Sequence, residues 1–75
     1  MNNRVKREIR NKARLAYCLI DVLEYNIFDV KNKSNECDIN ILDKTIQEAK
    51  TTLQNIVDII VELEYILYLE KFKES

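Results

Sequence analysis

Neither glycine nor proline occurs anywhere in this chain of 75 residues. Tight hairpin turns, phosphate-cradling loops and sharp β-corners mostly rely on one or the other. Their absence predicts long helices joined by simple polar connections. The clearest periodicity agrees. Ile39, Leu42, Ile46, Ala49, Leu53, Ile56, Ile60, Leu63 and Leu67 follow one another at alternating steps of three and four. A row of this kind is a heptad seam and calls for a helical partner, either inside the chain or in another copy. It runs unbroken until Glu70.

A second helical row lies upstream. Ile9, Ala13, Ala16, Ile20, Leu23, Ile27 and Val30 also step by four and three, with Leu15, Leu19 and Val22 beside them. The combined apolar arc is wider than a single packing partner requires. Between the two rows, residues 31–38 are polar and contain Asn32, Ser34 and Asn35. That composition reads as a loop, and Asn35 or Asp38 suits the cap of the following helix. The expected elements are a helix over about 3–30, a loop over 31–38 and a helix over about 38–72.

These elements predict an all-α fold of one domain spanning residues 1–75, an antiparallel αα-hairpin. Two helices cannot cover both apolar arcs, so the hairpin is expected to dimerise into a four-helix bundle. A small chain with little room for a core is commonly completed in this way. Two other architectures fit the pattern less well. One is a single long coiled coil with a mobile N-terminal helix; the other is a hairpin that completes its core only on a larger partner.

The formal net charge of −1 conceals a segregation. Residues 1–14 carry six basic side chains and one acid, whereas residues 15–75 carry six basic and twelve acidic ones. On a helical projection Arg7, Arg10 and Arg14 fall opposite the apolar rows. The same outer stripe continues through Tyr17, Asp21, Tyr25 and Phe28. Arginine and tyrosine are enriched among binding hot spots, so Arg7, Arg10, Arg14, Tyr17, Tyr25 and Phe28 form the candidate protein-docking stripe. Basic groups interleaved with aromatics also suit nucleic acid, which makes Arg4, Lys6, Arg7, Arg10, Lys12 and Arg14 the alternative nucleic-acid set. The acidic remainder of the chain works against phosphate binding. The plainest account of the basic end is cross-helix pairing, with residues 4–10 lying alongside about 59–65 and so near Glu62 and Glu64.

The chain has no histidine, and its two cysteines are nineteen positions apart. No metal or other cofactor is therefore expected. Cys18, between apolar neighbours, is expected to be a small buried hydrophobe. Cys37 falls in the loop, too far from Cys18 for an intrachain disulfide. No nucleophile–base constellation is present, and no enzymatic activity is expected. The apolar stretch over residues 56–69 is interrupted by Asp58, Glu62 and Glu64 and does not read as a membrane span. The basic start lacks an apolar stretch with a small-residue cleavage site, so no secretory leader is expected. These features predict a cytoplasmic protein. Asn, Ile, Lys and Tyr supply 30 of the 75 residues, a bias typical of AT-rich genes such as those of mobile elements and viruses.

The function expected is that of a small regulator, inhibitor or adaptor that self-associates and binds another protein through its helix faces. A nucleic-acid-binding accessory protein is the alternative, and a purely structural oligomerisation module is the third.

Overall fold

A computed structural model of the chain describes residues 1–35 and 38–74. Two helices, α1 (Asn3–Lys33) and α2 (Ile39–Glu74), pack against each other as an antiparallel hairpin. The molecule measures 56 × 16 × 12 Å. Its longest dimension is close to that of 36 helical residues at about 1.5 Å each, so α2 alone sets the length.

Each helix begins on a side chain that satisfies a free backbone donor. At the start of α1, the Val5 N–H donates to the Asn2 side-chain oxygen at 2.9 Å. At the start of α2, the Ile41 N–H donates to the Asp38 carboxylate at 3.0 Å. Of the two residues that suited this cap, Asp38 performs the role. The first helix runs three residues beyond the end read from apolar spacing alone. The Lys33 ammonium meets the Asp29 carboxylate at 3.0 Å, and Lys31 and Lys33 both oppose the negative end of the helix dipole. The Ser34 hydroxyl donates to the Lys31 carbonyl at 2.7 Å and helps close the last turn.

The packed face of α1 is Val5, Ile9, Lys12, Ala16, Leu19, Leu23, Asn26, Val30 and Lys33. That of α2 is Leu42, Thr45, Ala49, Thr52, Ile56, Ile59, Leu63, Ile66 and Glu70. Both follow steps of three and four, so the two helices meet along one heptad seam. Two cross-helix hydrogen bonds fix its register. The Lys12 ammonium donates to Glu62 at 2.7 Å, and the Thr52 hydroxyl donates to the Asn26 side-chain oxygen at 2.9 Å. Between these two bonds the antiparallel rows bring Ala16 near the level of Ile59 and Leu19 near that of Ile56.

This register is displaced from the one expected from the loop. Residues 4–10 lie alongside about 65–71, not 59–65. α1 extends to Lys33, so the stretch between the helices is shorter than the eight residues expected.

The centre of the seam is thin. Among described residues only Ala16, Ala49, Ile56, Ile59 and Thr45 are buried, and no large side chain is fully enclosed. Thr45 satisfies its hydroxyl within its own helix by donating to the Ile41 carbonyl at 2.9 Å. The Thr52 hydroxyl has a second acceptor, the Glu48 carbonyl at 3.0 Å, and its single proton serves one acceptor at a time.

Candidate functional site

The seam divides the candidate residues into groups with different surroundings. On α2, the row Leu42, Ala49, Ile56 and Leu63 lies in the hairpin interface. Ile39, Ile46, Leu53, Ile60 and Leu67, read with them as one seam, are all exposed in the hairpin. Their place beside α1 is taken by Thr45, Thr52, Ile59 and Ile66. The same split occurs on α1, where Ile9, Ala16, Leu23 and Val30 face α2 while Ala13, Ile20 and Ile27 remain outside. Each helix thus has a central apolar row with a companion row on either side. The hairpin uses only one companion row per helix.

The basic end of α1 is distributed around the helix. Arg7, Arg14, Asp21 and Phe28 recur every seven residues on the face opposite the seam and are exposed. Arg10 and Tyr17 lie on one shoulder of that face, and Tyr25 lies on the other. The aromatic side chains are well exposed, Tyr17 at 72%, Tyr25 at 68% and Phe28 at 59%. Lys6 is also exposed. Arg4 and Arg7 line a shallow groove with Glu8, Asn11 and Lys12, so an acid interrupts this part of the basic surface.

Lys12 behaves differently from the other basic residues in this stretch. It sits on the seam and pairs with Glu62. The hydrogen bond to Glu62 raises its pKa above the ordinary lysine value of 10.5, helped by the negative charges of Glu62 and Glu8 and opposed by partial desolvation. A raised lysine pKa contributes stability that is present below the ordinary value and is lost as pH rises through the raised one. Thermal melts should therefore show a small advantage of the native chain over Lys12→Met near neutrality. That advantage should shrink at strongly alkaline pH. A gap that is unchanged from pH 7 into the alkaline range would show that the pair does not contribute.

Lys12, Glu62 and Glu8 line a second shallow groove with Val61, Tyr65 and Ile66. It is open to solvent and lies on the side of the seam that carries the polar pairs. Tyr65, Tyr68 and Phe72 are exposed on α2.

Cys18 is exposed, not buried. Its apolar neighbour Leu19 turns into the seam, and the thiol falls on the outer side one position away. Cys37 lies outside the described residues, as does any bond it forms. Among the described residues there is no cluster of ligands able to hold a metal ion. Among the described residues no helix is long and apolar enough to cross a membrane.

In comparisons with protein-family models, with curated proteins and with solved structures, nothing matches this chain. Any functional reading therefore rests on the two kinds of surface described above: the arginine–aromatic outer face of α1, and the apolar rows left exposed beside the seam.

Proposed function

We propose that the chain is a non-enzymatic regulator, inhibitor or adaptor. It self-associates as a four-helix bundle of two hairpins and binds another protein through the outer face of α1. The observation that carries this reading is the exposure of Arg7, Arg10, Arg14, Tyr17, Tyr25 and Phe28 along one side of a rigid helix. From residue 7 to residue 28 the stripe is about 32 Å long at 1.5 Å per residue, enough for a helix-sized docking site. Three exposed aromatics on one helix leave apolar area in water that a partner surface would cover. The arginines at one end supply charged forks for acidic groups, and a rigid helix loses little entropy on docking.

The test uses affinity capture with the native chain, with the double variant Arg7→Ala/Arg14→Ala and with Tyr25→Ala/Phe28→Ala. Hot-spot residues cost about 2 kcal/mol or more each, so each variant should weaken capture of the partner by at least roughly 30-fold. Helix content and oligomeric mass should be unchanged. Full capture by both variants would defeat the docking reading and leave an oligomerisation module. Titration with generic DNA and RNA at low salt addresses the other class. Binding that falls steeply with salt, and that weakens when Arg4, Lys6, Arg7, Arg10 and Arg14 are neutralised, would move the function to nucleic acid.

A further inference from the structure

The two open sides of the hairpin differ in a way that identifies an occupant for one of them. In an antiparallel helix pair, residues flanking the seam on one side of α1 lie beside the equivalent flanking residues of α2. On one side every level contains an acid or an amide: Leu15 is near the level of Glu62, Val22 of Asn55, and Asp29 of Glu48. On the other side Ile20 is near the level of Leu53, and Ile27 near that of Ile46. Ile60 and Leu67 extend the same row along α2. All six of these residues are between 42% and 55% exposed in the hairpin. They form one apolar face that runs most of the length of the molecule.

The rim of that face carries the charges. On α1 it reads Arg10, Tyr17, Glu24, Lys31, one residue per heptad. On α2, taken in the opposite direction, it reads Glu64, Val57, Lys50, Asp43. The Lys12–Glu62 and Thr52–Asn26 bonds place these two rims level with each other to within about one helical turn, or 5.4 Å. A two-fold axis parallel to the helices lays α1 of one hairpin over α2 of the other at equal height. It therefore sets Arg10 against Glu64, Glu24 against Lys50 and Lys31 against Asp43, with Tyr17 over Val57 between them. The long charged side chains of the rim span an offset of that size, and the isoleucine and leucine rows lie over one another along the same stretch. Turning the second copy end over end also opposes unlike charges, Lys50 to Glu64 and Asp43 to Lys71 about Val57. In both orientations the face is self-complementary.

The exposed area points the same way. The hairpin leaves 6225 Å² accessible, whereas a globular monomer of its 9.0 kDa exposes about 4,900 Å². The excess is larger than the roughly 800 Å² that each partner contributes to a standard interface.

We infer that the face of Ile20, Ile27, Ile46, Leu53, Ile60 and Leu67 is covered by the same face of a second copy of this chain, with the rim charges setting the pairing. The inference rests on the self-association proposed above and assigns it to one surface. It also places Arg10 and Tyr17 at the edge of the interface between copies, leaving Arg7, Arg14, Tyr25 and Phe28 as the part of the outer stripe that stays free for another protein.

Light scattering and sedimentation of the full chain across micromolar concentrations test it. The native chain should have twice the mass of one chain, and Leu53→Glu should halve that mass with helix content retained. Lys50→Glu leaves the apolar residues untouched and should weaken the dimer at least about tenfold. Exchanging the charges in Glu24→Lys/Lys50→Glu or in Lys50→Glu/Glu64→Lys should restore it. A native chain that is a folded monomer, with or without affinity for lipid vesicles, would overturn the inference. So would a dimer indifferent to Leu53→Glu and Lys50→Glu; that result would place self-association on another face while leaving the docking stripe to its own capture experiment.

Discussion

Replacing Ala16 by leucine should destabilise the hairpin by about 1–3 kcal/mol, because the added bulk is forced against a packed neighbour. Replacing Ile59 by alanine should cost about 2–5 kcal/mol through lost burial and the cavity left behind. The two together should cost less than their sum. Ala16 and Ile59 are both buried and level with each other across the seam, so the leucine of one variant enters the space vacated in the other. Urea titrations of the four proteins give the coupling directly, and about 1–2 kcal/mol is expected. Strict additivity would mean that the two residues do not oppose each other and that the register described here is wrong. The sizes matter because a single domain is stabilised by only about 5–15 kcal/mol, and this one has few buried side chains to draw on.

Lysine at position 56 should unfold the hairpin, while lysine at position 60 should not. Both isoleucines belong to the same heptad row in the sequence. In the fold Ile56 is 6% exposed, and Ile60 is 47% exposed. A charge at position 56 is buried between the helices, at a cost of several kcal/mol that a thin core cannot offset. A charge at position 60 stays in water within one hairpin and costs little there. Circular dichroism at low protein concentration separates the two variants. Equal helix loss in both would return Ile60 to the interior of the hairpin. In the dimer inferred above, Ile60→Lys should also lower the molecular mass, since the side chain lies on the face between copies.

This contrast shows where sequence reasoning reached and where it stopped. The lack of glycine and proline, the two rows at steps of three and four, and the polar stretch between them were sufficient for an antiparallel helical hairpin. The cap at Asp38 was one of two residues its local chemistry allowed. Apolar spacing alone ends α1 three residues short because Lys31, Asn32 and Lys33 carry no apolar signal; an ion pair and the helix dipole support the helix through them. The outer stripe is exposed in the hairpin because its residues lie opposite the row that meets α2. Cys18 is exposed despite its apolar neighbours because flanking residues on a helix do not share a face with the residue between them.

By itself the sequence determined the kind of object: two amphipathic helices, a polar connection, a charged beginning and more apolar surface than one hairpin can bury. Helical periodicity and residue chemistry are local, so they are readable without knowing what lies opposite. Only the tertiary structure decided which apolar rows face each other. Leu42, Ala49, Ile56 and Leu63 can pair with a companion row on either side, and the heptad pattern does not rank the two. The choice follows from matching across the gap. Thr52 meets Asn26, Lys12 meets Glu62, and small Ala16 is level with large Ile59. Those relations exist only between helices and cannot be read from either helix alone.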